Sequence, residues 1–153
     1  MEQRNVELIR KAISLAQHNI KNGLGGPFGA VIAKDGVEIS SGCNGVTTNN
    51  DPTAHAEMLA IRRACQQLQT QRLTVCDIYV TLEPCTQCAA AISFARIKRL
   101  YFGADDPKGG AVINGVLFYE QATCLHKPDI YSGLQESASR KLLLKFFSEK
   151  RTS

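Results

Sequence analysis

Val6, Ile9, Ile13, Ala16 and Ile20 recur at steps of three and four residues, which puts them on one face of an amphipathic helix that Gly23 ends. The chain then becomes polar: residues 22–29 hold four glycines and a proline and predict a loop. Ala30–Ala33 reads as an apolar strand, Lys34-Asp35-Gly36 as a tight turn, and Val37–Gly42 as the returning strand of a hairpin. A polar stretch over 43–53 leads to Asn50-Asp51-Pro52-Thr53, a helix-start signal with Asp51 or Thr53 as the cap. Ala60, Ile61, Ala64 and Leu68 then form the apolar stripe of a helix over 54–68.

Farther on, Asp77–Leu82 predicts a buried strand that Pro84 stops, followed by an alanine-rich helix over Thr86–Phe94. Lys98–Gly103 is a further strand, and the helix before it makes a crossover, so this pair of strands is expected to be parallel. From Ala104 to His126 the pattern fails. Asp105-Asp106-Pro107-Lys108-Gly109-Gly110 is a loop by composition, while Val112–Phe118 fits a strand, a short helix or a packed loop equally well. Leu134–Glu149 predicts the last helix, with Leu142, Phe146 and Glu149 along one side. This order gives one α/β domain over 1–153, a mixed sheet covered by helices on both faces.

Composition narrows the class. The 153 residues are enough for one buried core, and a hydrophobic content of 44% excludes a disordered chain. No apolar run approaches the ~18 residues of a membrane span, and the N-terminus shows no signal-peptide pattern, so a reducing, cytoplasmic setting is expected. The formal charge of +4 permits contact with RNA without requiring it. Basic residues are spread over Arg96, Lys98, Arg99, Arg140, Lys141, Lys145, Lys150 and Arg151, with no dominant block.

The chemistry lies in two short pieces, His55-Ala56-Glu57 and Pro84-Cys85-Thr86-Gln87-Cys88. Two thiolates spaced Cys-x-x-Cys can grip one ion, and an imidazole makes a third ligand, so His55, Cys85 and Cys88 form a zinc set with its fourth position left to water. Both pieces fall at predicted helix starts, where free amides and the positive helix end favour anionic ligands. Glu57, beside the ion without ligating it, fits a general acid–base that moves protons between water and substrate. A structural zinc would need a fourth protein ligand, and none is well placed. Cys43, Cys65, Cys76 and Cys124 have irregular spacing and read as small core residues. With 27 residues between Glu57 and Cys85, one helix out and one strand back return the chain to the same edge.

His-x-Glu followed by Pro-Cys-x-x-Cys is the pattern of the zinc deaminases that act on bases. In His55-Ala56-Glu57 and Thr81-Leu82-Glu83-Pro84-Cys85-Thr86-Gln87-Cys88 the chain resembles the cytidine deaminase-like superfamily. Within it, the chain is similar to the branch of bacterial guanine deaminase and the tRNA-specific adenosine deaminase. Gly25-Gly26-Pro27-Phe28-Gly29-Ala30-Val31-Ile32 looks most like the guanine deaminase side. Tyr79–Cys85, Phe102-Gly103-Ala104 and the C-terminal helix with Phe146 and Phe147 look more like the tRNA enzyme. The resemblance implies a three-layer α/β/α sandwich with a central five-stranded mixed sheet, a homodimer, zinc on His55, Cys85 and Cys88, and Glu57 as proton shuttle. It also implies base recognition by Asn44 and backbone amides of Ala56 and Cys85 near the attacked carbon. Thr86-Gln87 departs from the family's usual pair between the cysteines and implies a more polar pocket beside the metal.

These residues predict a hydrolase acting on C–N bonds that releases ammonia from an exocyclic amine. Phe28 is a candidate pocket wall, Asp105 and Lys108 are read chiefly as a solvated loop, and His18 and His126 as surface or interface histidines. The N-terminal loop, the modest charge and Gln87 favour a free nucleobase or nucleoside, with purine preferred. The alternative is adenosine in the anticodon loop of tRNA, converted to inosine at the wobble position, with the basic residues following phosphates.

Overall fold

The computed structural model describes residues 2–152, with side chains for 3–148, so the Glu149, Lys150 and Arg151 side chains lie outside the described residues. The elements run α1 (Glu2–Lys21), β1 (Gly29–Lys34), β2 (Val37–Cys43), α2 (Ala56–Leu68), β3 (Cys76–Leu82), α3 (Thr86–Ala95), β4 (Arg99–Ala104), a 3-10 turn (Phe118–Glu120), β5 (Asp129–Ser132) and α4 (Glu136–Thr152). The five strands form one sheet in the order β2-β1-β3-β4-β5. β1 is antiparallel to β2 and β3, whereas β3, β4 and β5 run parallel to one another.

Alternation along the strands sends side chains to two cores. Ala30, Ile32, Ile78, Val80, Leu100 and Phe102 point toward α2 and α3, where Ala60, Ala64, Ala89 and Ile92 meet them. Val31, Ala33, Tyr79 and Tyr101 point the other way, onto Leu8, Ile9, Ala12 and Ile13 of α1, with Leu142 of α4 packed at the margin. The predicted three-layer sandwich is the architecture found. α1 presents the face expected from its spacing, with Ile9, Ala12 and Ala16 fully buried.

Two glycines set how closely α1 and α2 approach the sheet. A Cβ at Gly29 would overlap the Ala12 carbonyl, so β1 lies directly against α1. At Gly42 a Cβ would stand 2.5 Å from the Ala56 carbonyl oxygen, so β2 runs beneath the first turn of α2. Ser40 Oγ donates to the Ala60 carbonyl at 2.7 Å and fixes the same contact.

Several boundaries differ from expectation for identifiable reasons. α2 starts at Ala56 with His55 as N-cap rather than Asp51 or Thr53, because the Asp51 carboxylate accepts the Thr53 N–H and hydroxyl at 2.9 and 2.7 Å in a separate turn. β5 comes from a short polar stretch, Asp129-Ile130-Tyr131-Ser132, that carries no apolar alternation. It is held by its neighbours: Tyr79, Tyr101 and Tyr131 stand opposite one another in register and stack at 4.6 and 4.8 Å. All six cysteines are free; Cys76 is buried, while Cys65 and Cys124 pack at the edge of the core.

Candidate metal centre and base pocket

α2 and α3 begin side by side, and each opens on a residue of the predicted metal set. His55 is the N-cap of α2 and Cys85 the N-cap of α3; both have extended backbone and neither makes a side-chain capping bond. A residue at this position ordinarily spends its side chain on a free amide of the first turn. Here the imidazole and the thiol turn toward one another instead. His55 Nδ1 lies 3.5 Å from Cys85 Sγ and 3.5 Å from Cys88 Sγ. The three ligand atoms all fall within 4.8 Å of one another. A tetrahedral zinc with N at about 2.0–2.1 Å and S at about 2.3 Å separates N from S by about 3.5 Å, so the donor set fits the ion.

Electrostatics at the helix ends suit thiolate ligands. The Cys85 thiol is lowered to about 4, first by a hydrogen bond from Cys88 and also by one from His55. Cys88 moves the opposite way, raised by holding the shared proton and by burial. A cation between them would displace that proton. Glu57 lies in the first turn of α2, 9% exposed, and burial pushes its carboxyl above the ordinary range.

Beside the ligands is a cavity of about 190 Å³ whose lining includes His55, Cys85, Glu57, Asn44, Phe28 and Glu83. Sequence-predicted site residues from four separate segments therefore meet in one place. Ala56 is fully buried at the first position of α2, behind the lining rather than in it. Gln87 does not line the cavity: its Nε2 donates to the Thr53 carbonyl at 3.2 Å, so it ties the two motif segments together instead of adding polarity to the pocket. Asp105 accepts from Arg140 of α4 at 2.8 Å. His126 is turned to the protein, with Nε2 2.8 Å from the Ile97 carbonyl oxygen.

The pocket wall depends on residues that the sequence did not single out. Asn19, 3% exposed near the end of α1, donates its Nδ2 to the Gly26 carbonyl at 3.1 Å and the Asn44 carbonyl at 3.2 Å. A Cβ at Gly25 would lie 2.8 Å from that Asn44 oxygen, which explains glycine there. The Thr81 hydroxyl accepts the Gly29 N–H at 3.3 Å and donates to the Pro27 carbonyl at 3.4 Å, bracketing Phe28. Asn44 Oδ1 accepts the Val46 N–H at 3.1 Å, and its Nδ2 has no partner among the described residues. That leaves one amide donor for a ring acceptor.

Residues 2–104 match the family described as the cytidine and deoxycytidylate deaminase zinc-binding region, a span that holds every ligand of the site. The chain belongs to this family. The deaminase is 60% identical over 125 residues to a tRNA-specific adenosine deaminase of Agrobacterium fabrum, covering 82% of each chain. It superposes with a TM-score of 0.87 on a structure from work on A-to-I editing by tRNA:A34 deaminases at the wobble position of transfer RNA. The match is 52% identical and covers 90% of this chain and 99% of that one. A guanine deaminase of Bacillus subtilis is 50% identical over 97 residues, 63% of this chain and 62% of that protein. The deaminase thus carries a zinc site and the chemistry of C–N hydrolysis. No helix among its described residues is long and apolar enough to cross a membrane.

Proposed function

We propose that the protein is a tRNA-specific adenosine deaminase that converts adenosine to inosine at the wobble position. This reverses the preference for a free nucleobase that the N-terminal loop and Gln87 suggested. The observation that carries it is a mouth that α4 does not cover: among the described residues, none lining the cavity comes from α4, which packs on the α1 side of the sheet. A base attached to a polymer can enter such a mouth, whereas a free base would be better retained beneath a closing segment. The tRNA-specific adenosine deaminase of Agrobacterium fabrum exceeds the Bacillus subtilis guanine deaminase in both identity and coverage, which supports the same reading. Gln87, turned away toward Thr53, no longer argues for a small polar substrate.

Zinc held by His55, Cys85 and Cys88 would supply Lewis-acid activation of one water near neutral pH. Glu57 would carry two protons in turn, one from water to the adenine ring nitrogen as C6 is attacked and one from the new C6 hydroxyl to the departing amine. Water and adenosine become inosine and ammonia. The Asn44 Nδ2 donor orients the purine, Phe28 walls it, and the backbone amides of Ala56 and Cys85 would serve near the attacked carbon. A homodimer is the assembly this reading carries; Phe94 and Leu125, 77% and 82% exposed, leave apolar surface for a second copy.

The test is a substrate panel with zinc-loaded enzyme. An anticodon stem-loop RNA with adenosine at the wobble position should yield inosine, at a rate that falls steeply with salt. Guanine, adenine and their nucleosides should release little ammonia. Efficient turnover of guanine with no inosine in the RNA would overturn the proposal.

A further inference from the structure

One buried charge near the site has no part in the proton chemistry. Glu83, 2% exposed, follows β3 and stands two residues before Cys85. A carboxylate so deeply buried is costly unless donors surround it. Here all of its donors come from one loop. Oε1 accepts the Asp106 N–H at 2.9 Å and Asn114 Nδ2 at 2.6 Å. Oε2 accepts three consecutive backbone N–H groups, those of Val112, Ile113 and Asn114, at 3.0, 2.9 and 3.0 Å. A Cβ on Gly110 would overlap the carboxyl group, so the loop is shaped around it.

The same loop forms the outer wall of the base pocket through Asp106 and Gly109 and holds Lys108 exposed beside them. It lacks helix and strand over 105–114, so no ladder of its own fixes it. Asp106 Oδ1 accepts the Lys108 and Gly109 N–H groups at 3.1 and 3.0 Å, which shapes its tip. Its base rests on the Ala111 N–H, which donates to the Pro84 carbonyl at 2.9 Å. The ligand Cys85 and the loop are thus joined through Glu83-Pro84.

We infer that Glu83 is a positioning residue: its carboxylate is the internal template on which the 105–114 loop folds before substrate arrives, and through that loop it sets affinity for the part of the substrate beyond the base. The substrate class rests on the RNA reading above; the templating of the loop does not. Glu83→Gln keeps the size of the side chain but turns an NH₂ group toward either the Oε1 or the Oε2 donors, so one set loses its acceptor.

The test has two arms on zinc-loaded enzyme. In hydrogen exchange, the amides of Asp106, Val112, Ile113 and Asn114 should exchange roughly tenfold faster or more in Glu83→Gln, with β3 and α3 unchanged. In kinetics, KM for the stem-loop RNA should rise roughly tenfold or more, while kcat stays within about threefold and bound zinc is retained. Asn114→Ala removes the Nδ2 donor, which also reaches Asp105 Oδ2 at 3.5 Å, leaves the four backbone donors in place, and should shift exchange and KM the same way by a smaller factor. That variant keeps the inference testable if Glu83→Gln fails to fold. Unchanged exchange in the loop, loss of zinc from folded Glu83→Gln, or a fall in kcat at constant KM would overturn it. If the parent enzyme leaves RNA untouched, the RNA reading fails on its own, and the exchange arm still decides whether Glu83 templates the loop.

Discussion

Removing the Asn19 side chain should loosen the pocket without touching the metal. In Asn19→Ala the one Nδ2 that serves the carbonyls of Gly26 and Asn44 at 3.1 and 3.2 Å is lost; the Gly26 carbonyl keeps the Phe28 N–H at 2.9 Å, while that of Asn44 is left without a donor among the described residues. A stranded buried acceptor costs about 1–3 kcal/mol. Asn44 is half-buried, so water recovers part of the loss and the total is about 1 kcal/mol. For 153 residues the thermal midpoint should fall by about 2–4 °C. The freed segment carries Phe28 and Asn44, so KM should rise roughly fivefold or more, while kcat at saturation stays within about twofold. Asn19→Asp has nearly the same shape but points a carboxylate oxygen at the two carbonyls and should be worse on both counts. Calorimetry with steady-state assays on the three proteins settles the matter. A midpoint within about 1 °C of the parent and an unchanged KM in Asn19→Ala would show that the end of α1 does not hold the wall.

Glu57→Gln should keep its zinc, measured by metal analysis, and lose roughly a hundredfold or more in turnover; full activity would defeat the proton-shuttle assignment. Cys88→Ala should lose both zinc and activity, and a chelator should silence the parent enzyme reversibly; metal-free turnover would end the zinc reading. Asp77 gives a pH dependence of definite sign. Burial raises its carboxyl above 3.8 despite Arg99 at 3.4 Å, and Oδ1 has no partner among the described residues. A group with a raised folded pKa contributes stability below its unfolded value and loses that contribution as pH rises through the folded one. The midpoint of Asp77→Asn relative to the parent should therefore climb as pH rises above about 4; a flat or falling difference would contradict the burial argument.

The legible parts of this chain were those whose structure is fixed by near neighbours in sequence. α1, the β1–β2 hairpin, β3, α3 and β4 follow from apolar spacing and turn residues, and the metal set from donor types and spacing. β5 was not legible from its own residues, because Asp129-Ile130-Tyr131-Ser132 becomes a strand only when Tyr131 stacks on Tyr101. The 105–114 loop could not be read for a related reason: its conformation is dictated by Glu83, which is remote in sequence. His55 was placed inside α2 instead of at its cap because the local signal at Asp51-Pro52-Thr53 serves a turn that precedes the helix. Asn19 looks like any polar residue on a surface helix until the chain folds back upon it. Substrate choice was least legible, since His55, Glu57, Cys85 and Cys88 serve any amine-bearing ring, and Gln87 misled because its side chain turns to Thr53.

The placement of β3 between β1 and β4 bears on how the protein matures. The imidazole arrives with the first half of the chain, on a helix laid over the hairpin, whereas both sulfurs arrive later, on the helix that follows the central strand. No metal can be held by all three until that strand has slotted beside its antiparallel neighbour. Zinc uptake during refolding should then lag behind formation of the hairpin and coincide with closure of the sheet, making the bound ion a built-in report that the nascent chain has finished assembling.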